Sequence, residues 1–581
     1  MRRQTVRSSM LAAGAALGVG LVGWLVPSTL SGPQAAAQSN NTAVEPAAAG
    51  KTVKAQLLAI NDFHGHLESK GLSISARTAT SHGPGYVPAG GAAYLAAKLK
   101  QLKRENKNSL VVSAGDMVGA SPMISGYFHD EPTVEAMNKM VDVGAVGNHE
   151  FDEGSKELRR MVNGGCGPSH SCAAHTYKGV TFDLLAANVV VRRTGKPMLP
   201  PTVVRSVGGA KIGFIGVTTI DTPKLLIPSG VVDIAFLDPV ETIRKYAPRL
   251  RAQGADAVVV IAHEGAAQND GSTSKTSGIN ACDDVRGPVV DITKAVASQV
   301  DAVVSGHTHK AYNCRVDGTL LTEAATYGRL VTKIDLTIDT GAHQVVKSSA
   351  KNVVVDHDRK PDAAVAKVVK TYEKLIATKA SKSVGTLTKA ADRAPSRSGE
   401  TRLGGLVADA QLAATRKTKA KAQLAIVQRG VLRGDLPKGK VTTEDVYLAQ
   451  PQAVKLITKT FTGKQLDAAL EGQFCNDAST TNDRMVPLNP SANFTYRYDT
   501  SKPCGKRIRM ADTTLDGKAI TSTGKYRVTI NAFLAAGVDG MAGFAEGTKA
   551  VTGVTDQQAL TQYLKAKKTV TPPSRTRVRP L

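Results

Sequence analysis

Gly147-Asn148-His149-Glu150-Phe151-Asp152 places an amide, an imidazole and two carboxylates within six positions. It is one of five segments of this kind. Asn61-Asp62-Phe63-His64-Gly65-His66 follows the apolar run Val53–Ile60, and Ser113-Ala114-Gly115-Asp116 closes Ser109–Ser113. Val258–Ile261 runs into Ala262-His263-Glu264, and Ser305-Gly306-His307-Thr308-His309 follows Ala302–Val304. A single Asp-x-His or Gly-Asp is an ordinary turn. Five strand ends that each continue into Asp, His or Asn form a constellation. With Lys211–Val217, these β-branched runs have strand length and alternate with helix-like stretches. The pattern predicts an α/β sheet whose chemistry sits at the strand ends. Carboxylate, imidazole and amide oxygen together suit zinc, manganese or iron(II), and the absence of thiolate from the set argues against a structural zinc knuckle.

The chain has 581 residues, 42% hydrophobic and 21% charged, which excludes a disordered or fibrous protein and allows two sizeable cores. The formal charge of +25 favours anionic partners, whether small phosphorylated molecules, nucleic acid or wall polymer, or else simply marks a solvated basic surface. Arg2, Arg3 and Arg7 precede the uncharged run Met10–Val26, and small residues then lead to Ala35-Ala36-Ala37. That is the layout of an export leader removed before Gln38. The other reading, a retained anchor, would use an apolar run at the short end of what spans a bilayer. The protein is therefore expected outside the cell or on its wall, with no stable membrane insertion.

All six cysteines lie beyond the leader: Cys166, Cys172, Cys282, Cys314, Cys475 and Cys504. In an exported chain an even count predicts disulfides, and pairing of sequence neighbours closes the shortest loops. In Pro361–Ser381, apolar Val365, Val368, Val369, Tyr372 and Ile376 recur at helical spacing. Beyond it, residues 381–581 contain no histidine, so metal or acid–base chemistry belongs to the part before. The expected organisation is a leader at 1–37, a flexible lead-in at 38–51, a first domain at 52–355, a linker helix at 356–381, a second domain at 382–564 and a disordered basic tail at 565–581.

The order Asp-x-His, Gly-Asp, Gly-Asn-His-Glu, His, Gly-His-x-His resembles the dinuclear calcineurin-like metallophosphoesterases. The strings NDFHGHLE, GNHEFD and SGHTH resemble their secreted 5′-nucleotidase and 2′,3′-cyclic phosphodiesterase branch. The resemblance implies an α/β fold: a β-sandwich flanked by helices, a linker helix, then a smaller mixed α/β 5′-nucleotidase C-terminal domain. It assigns Asp62, His64 and His309 to one divalent ion, zinc or manganese. Asn148, His263 and His307 take a second, Asp116 bridges the two, and His149 with Asp152 forms the family's His–Asp dyad. His66 falls outside the ligand set, and Glu68 and Glu150 are expected as supporting or surface residues. His82, His129, His170, His175, His343 and His357 have no motif context and are expected at the surface.

The second domain matches in patches. Arg397 lies in Ser396–Gly404, which resembles the family's opening arginine motif, and Arg433 ends Gln428–Arg433 where the family has Asn-Gly-Gly-Gly-Ile-Arg. Pro451-Gln452-Ala453-Val454 stands where the family has Pro-Phe-Gly-Asn, so the base-stacking Phe and the Asn are both replaced. Phe533 and Asp539 match the closing segment that binds base and ribose. The implied activity is hydrolysis of nucleoside 5′-monophosphates, with cyclic nucleotides and nucleotide sugars as further family substrates. The alternatives are a phosphomonoesterase indifferent to the nucleoside and a basic protein that binds anionic polymers through a surface including Arg416-Lys417-Thr418-Lys419-Ala420-Lys421.

Overall fold

The computed structural model describes residues 51–75, 86–167, 172, 174–268, 278–474, 488–538 and 540–581. The expected leader, His82, His170, Cys475 and Asp539 lie outside the described residues. Two sheets of six described strands form the centre of the first domain. One runs Gln344–Val354, Leu330–Asp339, Thr52–Ile60, Ser109–Ser113, Val143–Ala145, Asp183–Leu185. The other runs Ala311–Val316, Thr319–Ala324, Ala302–Ser305, Ala257–His263, Ala210–Thr218, Thr202–Val207. Leu57, Val112 and Leu336 from the first sheet meet Phe214, Val259 and Val304 from the second in one buried core.

Helices cover both outer faces. Ala92–Glu105 and Ala363–Ala380 pack through Leu95, Leu99, Val365, Val369 and Tyr372 on the first sheet. Pro239–Ala252 and Pro288–Val296 pack through Ile243, Leu250, Val289 and Val296 on the second. Every residue of Ala257–His263 is buried, because a central strand between two covered faces has no solvent side. Thr52–Ile60 pairs in parallel with Ser109–Ser113, as does Ala257–His263 with Ala302–Ser305. Parallel strands share a direction, so their carboxyl ends, where the five segments begin, emerge along one edge.

The helix Ala363–Ala380 falls within the stretch whose spacing predicted it, and Asp362 caps it by accepting from Ala364 N and Val365 N. Beyond it, a five-stranded sheet has the order Leu488–Pro490, Leu424–Gln428, Lys525–Asn531, Lys455–Thr462, Thr548–Thr555. Helix Arg402–Arg416 covers it, capped by Thr401. The expected basic tail is corrected: it is folded in. A helix continues to Lys567, and Val578–Pro580 pairs in parallel with Phe494–Tyr498. Arg577 is buried there, joined to both carboxylate oxygens of Asp409 at 3.0 and 2.7 Å. This pairing bridges 168 residues of sequence, which composition cannot register.

Disulfides join Cys166 to Cys172 and Cys282 to Cys314, both sequence neighbours. Cys504 is also disulfide-bonded. Among the described residues no helix is long and apolar enough to cross a membrane.

Candidate metal centre

The strand ends bring seven side chains to one place. Asp62 Oδ1 lies 3.2 Å from His309 Nε2 and 3.8 Å from His64 Nε2. Asp116 Oδ2 lies 3.0 Å from His263 Nε2 and 3.7 Å from His64 Nε2. His263 Nε2 is also 3.1 Å from Asn148 Oδ1, and the His263 and His307 rings meet edge to face. Three groups of donor atoms converge: Asp62, His64 and His309; His64, Asp116 and His149; Asp116, His263 and His307. Asp116 belongs to the last two.

The surroundings fix these donors. His64 Nδ1 and His263 Nδ1 donate to Gly119 O at 2.9 Å and Ala114 O at 2.7 Å, which turns both Nε2 lone pairs inward. Asn61 Nδ2 and His307 N donate to Asp62, and His149 N donates to Asp116 Oδ1. Asp62, His64, Asp116, His307 and His309 all have left-handed backbone. Non-glycine residues there cost about 1–3 kcal/mol each and persist only where many contacts hold them. Gly115 and Gly147 leave room for this crowding: a Cβ on Gly147 would sit 2.2 Å from Asp116 Oδ1.

Of the two positions expected for Glu150, the supporting one is what the structure shows, and it is deeply buried. It accepts from Asp116 N at 2.9 Å, Met117 N at 2.8 Å and Gly147 N at 2.5 Å, and so ties the Asp116 loop to the Asn148 loop. Burial pushes its carboxyl up to about 7.

The donor set fits divalent cations. His64 Nε2 and His309 Nε2 face each other at 3.1 Å beside a buried carboxylate, so their lone pairs converge on a position for a cation. Burial holds His64 down to about 3 and His307 to about 4, which keeps both imidazoles neutral, the form that coordinates a metal. At His263 and His149 burial opposes charge, but the carboxylates of Asp116 and Asp152 outweigh it and raise the imidazoles to about 10 and about 9. The pocket thus draws positive charge.

His149 Nδ1 and Asp152 Oδ2 are 2.8 Å apart. His149 also lines a cavity of about 500 Å³ together with His64, Asp116, Asn148, His307 and His309. The facing wall carries Arg393, Gln428, Arg433, Gln452, Phe533 and Val538 from the second domain.

Of the expected substrate residues, Arg433 and Phe533 reach this wall, and Arg397 does not: its side chain is exposed and absent from the lining. Arg393 lines it instead, steadied by Asp435 at 2.8 Å. The signal was a second arginine four positions before Arg397 in the same loop. Tyr327 was also missed. It lines the cavity and stacks on His66, with ring centres 3.7 Å apart. Of the histidines without motif context, His175 and His343 are exposed, beside Glu135 and Asp256. His129 and His357 are half-buried, the first paired with Glu153, the second stacked on Tyr94. Glu68 is half-buried.

A family model of the calcineurin-like phosphoesterases matches residues 55–311, and one of the 5′-nucleotidase C-terminal domain matches 383–546. The chain is 33% identical over 519 residues to Endonuclease YhcR of Bacillus subtilis, covering 88% of this chain and 40% of that protein. It is 30% identical over 555 residues to Cell wall protein Lmo0130 of Listeria monocytogenes, covering 90% of this chain and 68% of that protein. A solved 5′-nucleotidase precursor from Thermus thermophilus shares the fold with a TM-score of 0.68 at 24% identity, over 91% of this chain and 99% of the other. The chain belongs to the calcineurin-like phosphoesterases that carry a 5′-nucleotidase C-terminal domain, a family of phosphate-ester hydrolases.

Proposed function

We propose that this protein acts outside the cell and hydrolyses nucleoside 5′-monophosphates. Asp62, His64 and His309 would hold one divalent ion, zinc or manganese, and Asn148, His263 and His307 a second, with Asp116 between them. Such ions, when bound, polarise a phosphoryl oxygen and acidify a water. The observation that carries the reading is a single cavity with this donor cluster on one wall and Arg393, Arg433 and Phe533 on the other. A guanidinium fork reads phosphate oxygens, and a ring face reads a base of any identity.

The chain's own residues then divide the work. Arg393 and Arg433 orient the phosphate across the cavity from the donor cluster, and Phe533 receives the base. The P–O5′ bond breaks as the water oxygen bonds to phosphorus. His149, oriented by Asp152, gives the departing oxygen its proton, which one from the attacking water replaces. Export is supported by the basic, apolar and Ala-rich order of the first 37 residues and by the cell-wall name of one relative.

One observation favours a second reading, a phosphomonoesterase indifferent to the nucleoside. Gln452 lines the cavity at the position where the family's Phe would give the base its other ring face. Phosphate release from AMP and from p-nitrophenyl phosphate, with manganese or zinc supplied and again after chelation, separates the two. Faster metal-dependent turnover of AMP supports the nucleotidase. Equal or faster turnover of the aryl ester removes the nucleoside from the proposal.

A further inference from the structure

Glu323 is the penultimate residue of the strand Thr319–Ala324 in the second sheet and is 1% exposed. Its carboxyl bonds to Tyr312 and to the loop that carries two expected ligands. Thr308 Oγ1 lies 2.7 Å from Oε2 and 3.0 Å from Oε1 of Glu323, and Lys310 N donates to Oε1 at 2.9 Å. Thr308 Oγ1 also reaches Ala266 O at 2.6 Å, beyond the end of the strand that carries His263. Glu323 therefore grips the residue between His307 and His309 and the residue just after them. Both histidines are left-handed, with φ of 77° and 58°, and a backbone of this kind relaxes unless its neighbours are pinned.

The residues that follow Glu323 continue the same work on the other sheet's loop. Ala324 N donates to Asn61 Oδ1 at 2.8 Å, and Asn61 Nδ2 donates to Ala325 O at 2.6 Å. Thr326 Oγ1 and Tyr327 N both donate to Asp62 O, at 2.6 and 2.8 Å. One short segment thus ties Asp62, from the first sheet, to His307 and His309, from the second.

We propose that Glu323 is a positioning residue for the metal centre: its carboxyl clamps Thr308 and Lys310 so that His307 and His309 present their nitrogens to different ions while Asp62 is held between the sheets. The inference rests on the two-ion reading given above. It assigns a role to a residue that carries no motif and touches neither ion nor substrate.

The test uses the full chain, stripped with a chelator and titrated with manganese in a calorimeter. Glu323→Leu removes the clamp, and the manganese affinity falls about 10–100-fold, as for other partners that orient metal ligands. Glu323→Gln keeps a carbonyl for Lys310 N and an amide that can bond Thr308 Oγ1, so it binds within about threefold of the parent. Thr308→Val, which deletes one hydroxyl and leaves the carboxyl in place, gives a smaller loss and stands in if Glu323→Leu does not fold. Melting temperatures of the stripped proteins separate general destabilisation from loss of metal affinity. Parental affinity and stoichiometry in Glu323→Leu, or in Thr308→Val if it has to stand in, would overturn the clamp. A parent chain that takes up fewer than two ions would overturn the metal reading on which the clamp rests, and that failure is visible before any variant is made.

Discussion

The two walls of the cavity are built to different tolerances. On the metal wall donors are held by hydrogen bonds: His64 by Gly119, Asp62 by Asn61 and His307 N, and Asp116 by His149 N with its loop held by Glu150. Five of its residues hold a left-handed backbone. The facing wall has one ring, Phe533, two arginines and glutamine side chains where the family places an aromatic and an asparagine. The difference follows from what each wall must do. Ligand positions must be accurate to fractions of an ångström, whereas stacking and charge pairing accept many shapes. A wall that accepts many shapes also tolerates substitution, so the chemistry is written more firmly in this chain than the substrate.

The comparison breaks most severely at Asp116. Asp116→Asn removes the negative charge that two neighbouring cations would need between them, and turnover is expected to fall by more than the ~10²–10⁴-fold of a lost proton donor. Phosphate release and metal content measured together check it, and both should collapse. Parental turnover would refute the rigid-wall account. His149→Ala comes next, with a loss of about 10²–10⁴-fold in kcat and little change in metal content, because it removes a proton donor and no expected ligand. Loss of metal along with activity would make His149 a ligand instead.

How much of this the sequence carried depended on how local each signal was. The strand ends and the helix Ala363–Ala380 follow from period and turn chemistry within a dozen residues. The residue types at the five strand ends indicated a mixed nitrogen and oxygen metal site, and the assignment of each donor came from the resemblance of their order to the metallophosphoesterase motifs. Residues whose role depends on distant partners were illegible. Glu150 read equally as a supporting or a surface acid, and only its closure onto the Asp116 loop 34 positions earlier decides between them. Arg577 looked like part of a disordered tail because Asp409 is far off in sequence. Arg393 and Arg397 are chemically identical, and only the path of their loop decides which one lines the cavity. Glu323 reads as one more acid at a strand end, and only the loop lying over it gives it work.

The soft wall is tested by smaller effects. Phe533→Ala removes the ring that lines the cavity, so KM for AMP rises about tenfold or more, from the ~1–3 kcal/mol of one stacked face. Turnover of p-nitrophenyl phosphate should change far less, since the arginines and the donor cluster are intact. An equal loss on both substrates would place Phe533 in the scaffold rather than against a base, which its 8% exposure makes a fair contest.

The smallest expected effect is a gain. Gln452 lines the cavity at the position where the family carries a ring, so a nucleoside bound as proposed would have Phe533 on one side only. Gln452→Phe offers the second face, and kcat/KM for AMP rises severalfold to about tenfold while that for the aryl ester stays level. The change is asymmetric because stacking acts on the base alone, whereas both substrates share the phosphate. A gain confined to AMP would mean that the soft wall differs from the family's by one side chain. No gain, or a gain on both esters, would mean that this wall has been reshaped for a different phosphate ester, and the metal wall alone would then define the protein's chemistry.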